Sequence, residues 1–450
     1  MLNSQTAKIV SQKIIDGSPV MLFSDSVTIS SAKVLRVDDN GNQTVSVYYG
    51  GMLVRTLTIT DVPTDSTYYV GLFSANSATT FSGFAVSSYA TSPTVTRYVA
   101  KTGYDANPGS ATLPRLTIGG GDDLAVANNL INTIEVAAGT YMESVVVPLA
   151  GLDYRANGAV VVNAGGTGHG FSATNKDNIT LRGFEITNTG ANHGVYLNSS
   201  ENCVVESCVA HDCNHGFLAY GGSLNTTIRN CEAYDFGVRG FGFVLISNGV
   251  IDTCYAHDPS VGTAYGFEME QNNGGANNSI VRDCWATGGS HAFIAKTGTG
   301  IQFIRCVGFT AVEAFYFKGA PNCSILNCVA YNCSYGISLR DNGGVAPSST
   351  GATLTNNVIF NCIRGIYVQS GSEVDLAVDY DDIFGGTYAG SLDTTDYTSL
   401  ALWQTASDQD IHSLTLDPEY ASVVYGGFAL PAGSQLLTAG SDGGPIGRDT

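Results

Sequence analysis

The strongest constraint on this chain is a phrase it writes repeatedly. "CVAHDCNHGFLAY" begins at Cys208 and "CVAYNCSYGISLR" begins at Cys328. Between them Cys231, Cys254, Cys284 and Cys306 open similar stretches, at intervals of 23, 23, 30, 22 and 22 residues, and Asn357 takes the same place 29 residues later. Each opening runs into a short text such as "CEAYD", "CYAHD", "CWATG" or "NVIFN". A second phrase follows: "HGFLAY", "RGFGFV", "YGFEME", "HAFIAK", "EAFYFK", "YGISLR", "RGIYVQ". A unit of about 22 residues holding two alternating β segments cannot bury its apolar face alone, so it must stack on its own copies as a solenoid.

Side-chain alternation assigns the faces. In the first segment Val205, Cys208 and Ala210 point inward, with a bend between Val205 and Cys208, and Ile325, Cys328 and Ala330 repeat the pattern. The cysteines from Cys208 to Cys328 then form one interior column, with neighbouring coils about 4.8 Å apart. Cysteine is small and at home in a core, so packing explains the column, and disulfides between rungs are not required. In the second segment Phe217, Phe241, Phe267, Phe293, Phe315, Ile337 and Ile366 point inward, as do Ala219, Phe243, Met269, Ala295, Phe317, Leu339 and Val368. Glycines just before this segment, such as Gly194, Gly216 and Gly266, mark the bend into it.

Composition agrees with an all-β chain: 54 glycines, 23 tyrosines and 13% charged residues in 450. A formal net charge of −19 argues against nucleic acid as a partner. No run approaches 18 apolar residues, so no membrane span is expected. The first residues, "MLNSQTAKIVSQKIIDGSP", lack a charged start followed by an apolar block, the mark of a secretory leader. The 11 cysteines all lie from Cys203 to Cys362, contain no C-x-x-C pair and do not suggest a zinc site.

Residues 1–95 show no such period. "KVLRVDDNGNQTVSVYYGGMLVRTLTITDV" and "TYYVGLFSANSATTFSGFAVSSY" read as strands with turns at "DNGN" and "GG". They predict a small antiparallel β-sandwich-like domain, suited to binding sugar, docking or trimerisation. "YATSPTV" reads as the linker to a second domain over residues 96–450.

The repeat, its opening "RYVAKTGYDANPGSATLPRLTI", the following "TIEVAAGTYMESVVV" and the ending "GGFALPAGSQLLTAGSDGGPIGRDT" resemble the right-handed parallel β-helix, or pectate-lyase-like, superfamily. That resemblance implies a solenoid with a short helix capping its first coil, for which "DDLAVANNLI" is the candidate. The fold hosts lyases, glycosidases, esterases and inert fibres, so function has to come from a site.

The outward residues of the second segment are the candidates. Its last position reads Asn198, Tyr220, Val244, Glu270, Lys296, Lys318, Arg340, Gln369 up the stack, and the position two earlier reads Tyr196, Leu218, Gly242, Glu268, Ile294, Tyr316, Ser338, Tyr367. Three basic residues on consecutive rungs repel one another, and only 20 basic residues exist in the chain. An anionic partner or Glu270 would offset that cost. From the last strand residue to the next ladder position most coils take 10 or 11 residues, but 14 follow Glu270 and 17 follow Arg340. These two long turns, "QNNGGANN" and "DNGGVAPSSTGATLTN", would wall a groove with a basic floor.

"FIAKTGTG" and "ISLRDNGG" also resemble the Lys- and Arg-bearing segments of the alginate lyase and chondroitinase B group. The resemblance implies β-elimination on a uronate-containing polysaccharide, with Lys318 as base, Arg340 on the carboxylate and Tyr316 as proton donor. Lys296, Glu270, Asp341 and Tyr220 would bind substrate, and Glu268 with Glu270 would hold a Ca²⁺. A glycosidase would instead need two carboxylates about 5 to 9.5 Å apart, for which Glu268 with Glu270, or Glu270 with Asp341, are the pairs available. A weaker resemblance to phage tailspikes implies a glycan-binding shaft or adhesin, a homotrimer, and an extracellular or virion-associated location. His193, His215 and His291 share a column at the bend with Arg239, Tyr265, Glu313, Tyr335 and Arg364, and their direction is not readable from sequence.

Overall fold

In the computed structural model the chain divides into two compact units, Met1–Ser92 and Pro93–Thr450. The description covers residues 95–448 apart from 129–130, 272–276 and 344–347, together with the backbone of six strands in the first unit. In that unit Gln5–Ile15 pairs antiparallel with Ser18–Ile29 and with Tyr68–Ser74. Leu35–Asp39, Thr44–Tyr49 and Met52–Thr58 form a second antiparallel sheet. Most of the "DNGN" turn, the "GG" turn, and the linker "YATSPTV" except Val95 lie outside the described residues.

The second unit is a right-handed parallel β-helix with three strands per coil. A typical coil runs Thr227–Arg229, then the long strand Glu232–Val244; the next runs Val250–Asp252, Tyr255–His257 and Tyr265–Glu270. The first strands of successive coils make one parallel sheet, the second strands another, and the third strands a third. One left-handed residue makes the bend from first to second sheet: Ser207, Asn230, Thr253, Asp283, Arg305, Asn327 and Asn356 all have φ between 51° and 60°. The cysteine column follows directly after it.

All 11 cysteines are buried and unpaired by disulfides. Their column does more than fill space. The backbone N–H of Cys208 points at Cys231 Sγ (3.4 Å), that of Cys254 at Cys284 Sγ (3.4 Å) and that of Cys306 at Cys328 Sγ (3.3 Å). Asn357 continues the task, accepting the N–H of Cys328 on its side-chain oxygen at 2.9 Å. The bend therefore leaves an N–H that needs an acceptor in the core, and a small polarizable or amide side chain on the next rung supplies it. Burial pushes the thiols of Cys208, Cys254, Cys284 and Cys328 up from their ordinary range.

Inside the third sheet Phe217, Phe241, Phe267, Phe293 and Phe315 stack face to face, with centroids 5.0, 4.8, 4.8 and 5.1 Å apart. Burying each ring contributes about 1.5–3 kcal/mol. The glycines before these strands answer close approach rather than unusual φ. A Cβ on Gly216 would stand 2.6 Å from the carbonyl oxygen of Gly240 on the next coil.

The cap begins earlier than the sequence suggested. Helix α1 spans Ile118–Asn128, four residues ahead of Asp122, and Ile131 already belongs to the strand Ile131–Met142. Its first turn is weak in helix formers, but Glu143 accepts the N–H groups of Ile118 and Gly119 at 2.9 and 3.0 Å. Asp105 accepts those of Leu116 and Thr117. At the other end helix α2, Leu400–Ser407, buries Trp403 over the last coil. The chain then turns back across the second sheet, packing Phe428, Leu436 and Ile446 on Trp285, Val307, Val329 and Val358. No described helix is long and apolar enough to cross a membrane.

Candidate functional site

The outer face of the third sheet carries three columns. The bend column is His193, His215, Arg239, Tyr265, His291, Glu313, Tyr335, Arg364 and Tyr388, each paired in register with the next. The middle column includes Glu268, Ile294, Tyr316 and Ser338, and the end column runs Val244, Glu270, Lys296, Lys318, Arg340. Lys296, Lys318 and Arg340 thus occupy consecutive rungs of one sheet, as the repeat implied.

The middle column is not open to solvent as expected. Glu268, Ile294, Tyr316 and Ser338 are all buried. Side chains of the bend and end columns close over them, and opposite charges drive that closure. Arg239 reaches across its coil boundary to Glu268 and, at 3.4 Å, to Glu270, while Lys296 holds Glu270 from the far side at 2.5 Å. Higher up, Arg340 pairs with Glu313, whose other oxygen lies 3.0 Å from His291 Nδ1. The Arg340 guanidinium also sits 5.3, 4.9 and 4.8 Å from the ring centres of Tyr316, Tyr335 and Tyr367. Glu313 was visible in the sequence only as a member of the bend column. Its side-chain exposure of 4% makes it the buried counter-charge of the upper cluster.

Lys318 stands between these clusters. It is half-buried, and no described carboxylate comes within ion-pair distance of it. The offset predicted for the basic ladder therefore reaches Lys296 through Glu270 and Arg340 through Glu313, and it passes Lys318 by. Burial pushes the Tyr316 hydroxyl up to about 12, with the neighbouring Glu313 carboxylate adding to the rise, so the phenol keeps its proton near neutrality.

Below the lower cluster the bend column continues as a histidine ladder. The rings of His169, His193 and His215 stand 4.8 and 4.5 Å apart. Burial, then neighbouring histidine and Arg239, hold His193 down to about 4 and His215 down to about 3. Buried polar atoms without a hydrogen-bond partner gather on this face: His193 Nδ1, Glu268 Oε1 and Arg340 Nε, while His291 Nδ1 and Glu313 Oε2 meet as an ion-pair contact. Native cores leave few such atoms, and functional sites are where they collect.

The remaining candidates are placed apart. Tyr220 is exposed, but it lies on the rung below Val244, four rungs and about 19 Å from Lys318. Asp341 follows Arg340; its N–H donates to Gln369 and its carboxylate accepts from the N–H of Gly343 at 3.0 Å. Glu270 and Asp341 are about three rungs apart, near 14 Å, beyond the span of a glycosidase pair. Glu268 and Glu270 share one cation, Arg239, and do not face each other across a groove. Nor do they suit Ca²⁺, which takes six to eight oxygens. Cations of the chain already occupy these carboxylates, and among the described residues no group of three or more His, Cys, Asp or Glu side chains is arranged to hold a metal ion. Residues 272–276 and 344–347 of the two long turns, the expected groove walls, lie outside the described residues.

Comparison with known proteins bears on the fold. The family described as "Right handed beta helix region" matches residues 161–308. The solved complex of XylC with xylose is similar to this chain at a TM-score of 0.54 and 11% identity, covering 73% of this chain and 87% of that one. Pectate lyase Pel9A gives 0.50 and 17%, covering 80% and 98%. The catalytic unit of a GH87 alpha-1,3-glucanase from Streptomyces thermodiastaticus strain HF3-3 gives 0.51 and 11%, covering 86% and 79%. No curated protein matches the chain. At such identities the likeness establishes the β-helix architecture and leaves the chemistry to the site.

Proposed function

We propose that the outer face of the third sheet binds an acidic, uronate-containing polysaccharide and cleaves it by β-elimination at Lys318. The carrying observation is that Lys318, alone in the basic ladder, has no described carboxylate at ion-pair distance, while Lys296 and Arg340 are paired. A carboxylate-bearing sugar lying across the rungs meets Lys318 first. Arg340, one rung on and held rigid by Glu313 and three tyrosine rings, then neutralises the sugar carboxylate. In the elimination Lys318 acts as the uncharged amine, and the proton on the carbon beside the carboxylate passes to the lone pair of its Nζ. Its electron pair becomes the new carbon–carbon double bond, and the bond to the glycosidic oxygen breaks. That oxygen takes the proton of the Tyr316 hydroxyl, and no water is consumed. Polysaccharide-active neighbours with the same fold, the pectate lyase among them, agree with this reading.

A glycan-binding shaft without turnover is the second reading. It is favoured by the pairing of Lys296 and Arg340, which leaves only Lys318 of the three without a described carboxylate partner rather than a catalytic group of three. An extracellular or virion-borne protein, trimeric in the second case, suits either reading. The deciding experiment incubates the full chain with a panel of uronate polysaccharides and follows the ultraviolet absorbance of an unsaturated uronate. Growth of that signal, lost in Lys318→Ala, supports the lyase. Retention of a polymer on immobilised protein with no product in any case removes it in favour of the shaft.

A further inference from the structure

On a different face, the returning C-terminal segment encloses a cleft of about 350 Å³ against the second sheet. Thr253, Asp283, Trp285, Tyr425, Phe428 and Arg448 line it. Its size falls at the lower end of small-ligand pockets, room for one or two sugar rings. Three features define its chemistry. Arg448 lies over the Trp285 ring at 4.8 Å, and its Nη1 is buried with no hydrogen-bond partner. No described carboxylate forms an ion pair with Arg448, although acidic residues outnumber basic ones 39 to 20. Asp283, the acid in the wall, is already engaged by Arg305 at 2.6 and 2.8 Å. Tyr425 is 53% exposed; it stacks on Tyr255 at 4.0 Å and stands T-shaped to Trp285 at 5.2 Å.

We infer that this cleft binds an acidic sugar residue, its carboxylate on Arg448 and its apolar ring face on Tyr425. A guanidinium oriented by an aromatic ring is pre-organised for a planar carboxylate, and a tyrosine face takes the C–H side of a pyranose. The site is independent of Lys318, whose sheet it does not share. It would give the protein a second hold on an acidic polymer whether or not the third sheet cleaves.

The two tryptophans make the test direct. Trp285 lines the cleft, while Trp403 is buried in the end cap with its indole N–H on Asp410 at 2.5 Å. In the full chain carrying ¹⁵N-labelled tryptophan, the two indole signals are assigned with Trp285→Phe and followed during titration with sodium glucuronate. The expected result is a saturable shift of the Trp285 signal alone, with affinity at least tenfold weaker in Arg448→Gln and in Tyr425→Ala, and unchanged in Lys318→Ala. Methyl glucoside, which has the ring but no carboxylate, should bind at least tenfold more weakly, and so should sodium acetate. No shift with glucuronate, an equal response to acetate, or full affinity in Arg448→Gln overturns the inference.

Discussion

On the inner side of the third sheet Phe217, Phe241, Phe267, Phe293 and Phe315 repeat one residue up the stack. On the outer side of the same strands the trios change at every rung: Tyr265, Glu268, Glu270, then His291, Ile294, Lys296, then Glu313, Tyr316, Lys318. Backbone and spacing are shared, so the difference lies in the physics of the contacts. Apolar attraction is non-directional, and identical rings stack well at the spacing of a parallel sheet. Like charges at that spacing repel, so an ionic column must alternate, borrow partners from a neighbouring column, or leave a member unpaired. The outer face does all of these, and the member with no described carboxylate partner is Lys318.

That contrast can be broken by substitution, with the largest effects on folding expected inside. Phe267→Ala interrupts the ring stack and should cost about 3–5 kcal/mol, read as a fall in the urea midpoint at unchanged slope. A loss under 1 kcal/mol would mean that the inner column is loosely packed. On the outer side Glu313→Gln leaves Arg340 partly buried without its counter-charge, and about 3 kcal/mol should be lost, near the low end for broken buried pairs. Arg340→Met added to that variant should recover part of it, because the charge is then gone as well.

The histidine ladder tests the outer face by pH. Folding holds His193 and His215 neutral below their ordinary 6.5, down to about 4 and about 3. Their contribution is fully present above pH 6.5 and is lost as pH falls toward those values, because the unfolded chain takes up the protons first. His215→Phe should flatten the decline of the melting temperature over that window. An unchanged slope would show that His215 titrates normally in the folded protein.

Smaller still is Cys284→Ala, which removes the acceptor of the Cys254 N–H and should cost about 1–2 kcal/mol, while Cys284→Ser, keeping an acceptor, should cost less. Least affected of all should be Lys318→Ala. Its melting curve should stay within about 0.5 kcal/mol of the parent, since no described ion pair is lost, while turnover of a uronate polymer disappears. A marked loss of stability there would reveal a structural partner for Lys318 and weaken its assignment as the base.

Much of this was legible because the period is strict. The positions of Cys208 through Cys328, the inward phenylalanines and the register of Lys296, Lys318 and Arg340 all follow from aligning one phrase with the next. What could not be read is how side chains lean between rungs. Glu313 and Arg340 sit in different columns of adjacent coils, and only the rotamers decide that they meet. The same lean buries Tyr316 and Glu268, which alternation alone places outward. The Arg448 cleft was hidden for another reason: the segment that forms it has no period, and it returns to Trp285 across more than 160 residues of sequence.

The sameness of the inner columns has a consequence for how the chain finds its thread. A misfolded molecule that looped out one whole coil would still set ring on ring and thiol on thiol; Phe241 would rest on Phe293 and Cys231 on Cys284. Those two columns would scarcely register the error, although the inward column beside them, Phe243, Met269, Ala295, Phe317, changes at each rung. The outer face would. Omitting the coil of Glu268 and Glu270 leaves Arg239 and Lys296 with no acid between them, and omitting that of Glu313 strands Arg340. Position along the solenoid is therefore encoded in large part on its surface, coil by coil, while the ring and thiol columns supply cohesion that is nearly blind to order.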